Sequence, residues 1–188
     1  MASAASYAVA ADVRIGGVTG GHVDCFPTEA MTAVLKERGI NLEAVAPADA
    51  LSGGGVRFDE LSGSMSSTFQ GKLDMKGGIS LAGKDGTRLN VLELSGETPL
   101  GAMSATPETA RAGQAAQKGP RAEVAYPLAP GTVGGRPTGL TTFEVTVGAT
   151  DFALKEAGAT RINDAFGTTL AKDATFMKCT AELRGSLG

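Results

Sequence analysis

His22, the one histidine of the 188-residue chain, stands three positions before Cys25, with Asp24 between them. An imidazole beside a thiol can lower its pKa and make a nucleophile. Along an extended chain, however, positions i and i+3 point to opposite faces, and Val23-Asp24-Cys25-Phe26 has the character of a strand. The spacing predicts a structural cysteine and a surface histidine. Ser-His-Asp catalysis would have to use the same imidazole, and Gly63-Ser64-Met65-Ser66 does not make the Gly-x-Ser-x-Gly elbow. Ser64, Ser66, Ser67 and Thr68 are expected as turn and strand-edge polar residues.

Gly78-Ile79-Ser80-Leu81-Ala82-Gly83-Lys84 has the spacing of a phosphate-binding loop, but Asp85 follows where Ser or Thr should hold magnesium. The context is a hairpin rather than a strand leading into a helix. The glycine pairs Gly16-Gly17, Gly20-Gly21 and Gly134-Gly135 are expected at turns and bulges. Asp59 with Glu60, and Glu93 with Glu97, could pair for glycosidic acid–base work, yet the absence of Trp argues against a sugar-stacking cleft. Tyr7 and Tyr126 are the two tyrosines. A tyrosinate can hold haem iron, so either could be a ligand with His22 in support, and packing or interface contact is the plainer role. No catalytic residue, cofactor ligand or metal ligand is assigned.

Composition agrees. Seventeen basic against twenty acidic side chains leave a net charge of −3, without the clustered Lys and Arg that nucleic acid requires. One His and two Cys exclude multi-His centres and Cys-rich zinc sites. No apolar run reaches the roughly 18 residues of a membrane helix. Cys25 and Cys179 lie near opposite ends of the chain, each beside strand-like segments. A disulfide between them would close a loop worth about 5 kcal/mol in chain entropy and would fit an oxidising compartment; two buried free thiols are the alternative. The N-terminus has neither the basic nor the greasy region of a signal peptide. It is expected either as the start of a mature secreted protein or as that of a protein kept inside a cell or particle.

The elements that must carry these residues are mostly short strands between glycine-rich turns. Two helices are expected. One spans Pro27 to Arg38, capped by Thr28 and ended by Gly39, with Met31, Val34 and Leu35 on one face. The other spans Glu156 to Phe166, stopped by Gly167, with Ala159, Ile162 and Phe166 as its apolar stripe. Lys84-Asp85-Gly86 between alternating apolar runs predicts a hairpin, and Phe143 to Val147 alternates as a strand. Residues 101–139, rich in Ala, Gly and Pro, are expected as a long excursion from the sheet, partly helical near Thr106 to Gln117. The order strand–helix–Gly–strand occurs twice, an echo of an internal repeat. The pattern predicts a mainly β fold, a β-sandwich or barrel-like set of antiparallel sheets with two short helices. It forms a single domain over 12–188 behind a tail at 1–11.

Several stretches together resemble the HtaA-type domain of actinobacterial secreted and cell-surface proteins. They are Ala33-Val34-Leu35-Lys36-Glu37-Arg38-Gly39-Ile40-Asn41-Leu42 with Ala44-Val45-Ala46-Pro47-Ala48; Gly54-Gly55-Val56-Arg57-Phe58; Met75-Lys76-Gly77-Gly78-Ile79-Ser80-Leu81; and Arg161-Ile162-Asn163-Asp164-Ala165-Phe166-Gly167-Thr168. The similarity spans most of residues 12–184. It implies an extracellular β-rich domain with two short helices, and some members bind haem through a tyrosine with a supporting histidine. The family's aromatic segment before that tyrosine has no counterpart around Ser6-Tyr7, and its histidine beside the paired glycines is Lys76 here, so no haem ligand is carried over.

The sequence therefore predicts a non-enzymatic secreted binding or adaptor module. It would act through protein–protein contacts in an extracellular assembly or oligomer, with the tail Ala2 to Ala11 and the segment Gly101 to Gly139 as contact surfaces. A haem-binding module using Tyr7 or Tyr126, and a virion or particle subunit, are the alternatives.

Overall fold

The computed structural model describes residues 15–66, 68–98, 101–129 and 131–187. The expected tail at 1–11, with Tyr7, and Ser67 lie outside them. Thirteen strands and two helices follow in the order β1 (Ile15–Pro27), α1 (Glu29–Arg38), β2 (Ile40–Val45), β3 (Asp49–Leu51), β4 (Gly55–Phe58), β5 (Leu61–Ser66), β6 (Gly71–Gly83), β7 (Arg88–Thr98), β8 (Met103–Ala110), β9 (Gln117–Lys118), β10 (Ala122–Pro127), β11 (Val133–Pro137), β12 (Thr142–Leu154), α2 (Glu156–Phe166) and β13 (Thr175–Leu187).

Every strand pairing is antiparallel, and the pairing closes on itself. From β1 it runs through β5, β6, β7, β8, β10 and β12 to β13, which pairs back onto β1. The mainly β, barrel-like expectation is met. Alternation aims one face of each strand inward: Val23 and Cys25 on β1, Phe143, Val145 and Val147 on β12, and Met177, Cys179 and Leu183 on β13 join one core. Long strands serve two sets of partners because bulges bend them. β1 pairs β5 at Ile15 to Gly17 and β4 at Val23 to Cys25, with a register shift between Val18 and Gly20.

Both helices pack over a second core built from Met31, Leu35, Ile40, Leu81, Leu89, Leu154, Ala159 and Ile162. Thr28 caps α1 by accepting from the Met31 N–H at 3.3 Å, and Gly39 ends it in the left-handed region. The exit of α2 is fixed by Asn163, whose Oδ1 accepts from the Leu170 N–H at 2.8 Å and from the Thr168 hydroxyl at 2.7 Å. That explains the spacing of asparagine, glycine and threonine in Asn163-Asp164-Ala165-Phe166-Gly167-Thr168. The predicted hairpin joins β6 to β7, with Leu81 opposite Leu89 and Asp85 accepting from the Thr87 N–H at 2.9 Å.

Residues 101–139 require a correction. They hold β8, β9, β10 and β11, and two of these, β8 and β10, are wall strands of the ring. No helix forms between Thr106 and Gln117. The small residues that look like loop composition sit where strands crowd: Ala105 and Ala125 are buried in the core, and the Pro107 carbonyl accepts from the Gly119 N–H at 2.7 Å. The strand–helix–strand echo holds in element order but not in pairing. After α1 the chain joins β6 through β2, whereas after α2 it returns as β13 to pair with β12 itself.

Candidate functional site

Register places the outward side chains of β1, β13, β12 and β11 on a grid. His22 on β1 lies opposite Glu182, Glu182 opposite Thr146, and Thr146 opposite Gly134. In the row beside it, Gly20 faces Arg184, Arg184 faces Glu144, and Glu144 faces Arg136. On the other side of His22, Asp24 faces Thr180 on β13 and Arg57 on β4. The face they form is concave. Two adjoining hollows of about 590 and about 710 Å³ share His22, Gly134, Thr146 and Glu182.

Glycines line part of the face beside His22, Thr146 and Glu182: Gly21, Gly134 and Gly135 border one hollow, and Gly134 and Gly148 the other. A Cβ at Gly20 would stand 3.8 Å from the Arg184 guanidinium, and one at Gly134 would stand 3.0 Å from the Thr146 hydroxyl. Gly21, at φ +115°, allows β1 to approach β13; a Cβ there would fall 2.0 Å from the Glu182 carbonyl oxygen.

The rim is charged. Arg57 grips Asp24 through two hydrogen bonds of 2.7 and 2.6 Å, a bidentate geometry that fixes both side chains. These bonds, against a smaller opposing effect of burial, hold the Asp24 carboxyl below the usual carboxylate range and raise the Arg57 guanidinium above its own. Arg136 pairs with Glu144 at 2.6 Å. Arg184 has no ion-pair partner among the described residues. The His22 side chain is 27% exposed and its Nε2 lies 3.9 Å from Asp24, outside hydrogen-bond reach.

The other candidates fall elsewhere. Cys25 is bonded to Cys179, directly opposite on β13, with Sγ–Sγ 2.10 Å and Cα–Cα 4.1 Å, so no thiol is present to pair with His22. His22 and Cys25 point to opposite faces, as the spacing predicts. The disulfide borders a small apolar cavity of about 70 Å³ within the barrel, with Val23, Leu73, Met103, Phe152 and Leu183. The glycine run before Lys84 lies in the β6 hairpin arm. Glu60 is paired with Lys76 at 3.0 Å and Glu93 with Lys118 at 2.8 Å, both at the surface. Among the described residues no three His, Cys, Asp or Glu side chains gather as a metal site, and no helix is long and apolar enough to cross a membrane.

Tyr126 donates its phenolic proton to Asp173 at 2.8 Å. That bond, with desolvation and the Asp173 charge added, raises the phenol pKa above its ordinary value. Sequence reading did not single out Arg184, Glu182, Thr146 or Arg136. Alternation along β12 and β13 marks them as outward, but only the pairing of strands distant in sequence gathers them.

This closed ring with two capping helices is an HtaA-like fold. The C-terminal domain of HtaA from Corynebacterium glutamicum superposes with a TM-score of 0.62 at 12% identity, over 91% of this chain and 99% of that one. The heme binding protein HtaB from the same organism gives 0.57 at 14% identity, over 94% and 97%. A domain-swapped dimer of a histidine-to-alanine variant of the HtaA C-terminal domain gives 0.53 at 14%, over 86% and 94%. No protein-family model matches the chain, and no curated protein matches it in sequence.

Proposed function

We propose that this chain is a non-enzymatic, extracellular haem-binding module. The observation that carries the reading is the likeness of nearly the whole fold to HtaB, described as a heme binding protein. The Cys25–Cys179 disulfide supports an oxidising, extracytoplasmic setting. When bound, haem supplies an iron centre whose properties its axial ligand and surroundings set. This chain's own part is to bind, orient and partly desolvate the ring. The test is titration of the full chain with haemin: a saturable Soret band at one equivalent is expected, and absence of saturable binding refutes the reading.

The edge strand β11 favours a second reading, contact with another protein. Val133–Pro137 ends the sheet and is exposed along all five residues, so its free edge can accept an added strand. Val133→Lys is expected to abolish recovery of a protein that co-purifies with the wild-type chain from native culture supernatant. Unchanged recovery removes this reading.

A further inference from the structure

We infer that the free edge of β11 is the contact between two copies of this chain, which pair antiparallel with Gly135 opposite its own counterpart and join their sheets into one. The inference rests on the protein-contact reading of β11 and names the partner.

Backbone geometry makes this edge self-complementary. β11 ends the sheet, and an antiparallel ladder bonds alternate residues to one side. The Gly148 N–H donates to the Thr132 carbonyl at 2.8 Å, and the Thr138 N–H to the Thr142 carbonyl at 2.9 Å. Even-numbered residues therefore bond to β12, and Val133, Gly135 and Pro137 turn their backbone groups to the open side. With Gly135 opposite Gly135 of the second copy, the two glycines exchange N–H···O bonds, and each Val133 N–H meets a Pro137 carbonyl. Proline has no N–H to return, which leaves one Val133 carbonyl unpaired at each exposed end. Sheets commonly guard such an edge with lysine, an inward charge or a bulge. β11 has none of these: Val133, Gly135 and Pro137 share the inward side, and its register with β12 runs unbroken.

Exposed apolar side chains gather at the same place. Among the described residues the large apolar side chains most open to solvent are Leu140, Leu128, Phe26 and Val133, at 102, 47, 37 and 36%. Three of these four flank the edge. Val133 opens β11, Leu140 sits in the bend beyond it, and Leu128 follows β10 on the way in. Antiparallel pairing about Gly135 carries the Leu140 bend of each copy to the end where Val133 and Leu128 of the other stand. Apolar residues from both ends of the strand then leave water together, and the two-fold relation repeats the contact.

Charge permits the same register. Arg136 is the one charged residue of β11, and it falls opposite Gly134 of the second copy rather than opposite another arginine. Across the joined outward face one row then reads Arg184, Glu144 and Arg136, followed by Gly134, Thr146, Glu182 and His22 of the second copy. No like charges become cross-strand neighbours, and the bare Gly134 leaves room for the guanidinium.

The experiment follows the full-length chain by sedimentation velocity over a series of concentrations, beside V133K and L140D, after circular dichroism shows the β-rich spectrum intact. The wild type should show a reversible monomer–dimer equilibrium. V133K places a lysine on the edge and L140D removes the apolar bend, so each should weaken association at least about tenfold, the loss expected of an anchoring contact. Oxidation of a mixture of G134C and R136C chains reads the register. In the mixture the two thiols face each other in a non-hydrogen-bonded pair, about 4.5 Å apart between Cα atoms, within disulfide reach. Either variant alone sets them on a diagonal of roughly 7–8 Å, so the mixture should cross-link far more.

A wild type that stays monomeric at every concentration overturns the self-pairing. If V133K nevertheless loses a protein recovered from culture supernatant, the contact reading of β11 stands; if it loses none, both fall. A dimer that V133K and L140D leave intact, as strand exchange would give, overturns the self-pairing as well. A dimer without preferential cross-linking in the mixture overturns the pairing about Gly135.

Discussion

Breaking the Cys25–Cys179 bond tests how the barrel is held shut. The bridge spans 154 residues of sequence. The chain-entropy model for a loop of that length gives about 5 kcal/mol at 25 °C, released when the unfolded chain is freed. A domain of this size loses roughly 2 kcal/mol of stability per molar urea, so removing the bridge should lower the unfolding midpoint by about 2.5 M. Because both cysteines are buried, the wild type is reduced in urea and refolded with reductant before measurement. C25A/C179A is measured beside it. The double variant also removes two core sulfurs beside the cavity of about 70 Å³, adding roughly 1–2 kcal/mol of lost packing. It should therefore unfold below the reduced wild type. The m-value should rise in both, since an unlinked unfolded chain exposes more surface. A midpoint within about 0.5 M of the oxidised protein, with m unchanged, would refute the reasoning.

Other consequences can be measured in the same way. D24N removes the carboxylate held by Arg57 and should cost about 1 kcal/mol at pH 7. The Asp24 contribution is complete above the unfolded carboxyl pKa of about 3.9 and is lost as pH falls through the lower folded value, so D24N should lose less stability than the wild type between pH 5 and 2. Absorbance titration of Tyr126 in a Y7F background should show ionisation above pH 10, and D173N should return it towards the ordinary value; an unshifted wild-type phenol contradicts the hydrogen bond. G21A should destabilise by at least about 2 kcal/mol, because a Cβ would meet the Glu182 carbonyl at 2.0 Å; a neutral result in urea denaturation would rule out the close approach of β1 and β13. I162A, in the core beneath the helices, should cost about 2–5 kcal/mol by the same assay.

Much of the fold was legible because its signals are local. Thr28, Gly39 and Gly167 mark helix ends within a turn of the residues they cap, and Asp85-Gly86 marks a hairpin whose arms are adjacent in sequence. The opposite orientation of His22 and Cys25 follows from a period of two. What stayed hidden is non-local. Residues 101–139 build strands rich in Ala, Ser and Pro, which have little intrinsic strand preference and are held in the sheet by pairing with β7 and β12. The grid around His22 depends on the register of four strands drawn from both ends of the chain. Glu182 and Arg184 are ordinary outward charges on β13 until β1 lies beside them. The tyrosine likewise could not be judged from its surroundings in sequence, since its partner Asp173 comes 47 residues later.

The seam between β1 and β13 also sets an order of assembly. Eleven registered pairs join these two strands, and neither can find the other until β13 has been synthesised. Until then β1 and β12 each present an unfilled edge, and the growing chain has hairpins but no closed wall. Contacts this distant in sequence make folding slow, so closure of the wall is expected as a late step. The same exposed edges would accept β13 from a second copy as readily as from their own chain. At high concentration during refolding, strand exchange is the expected competitor of closure.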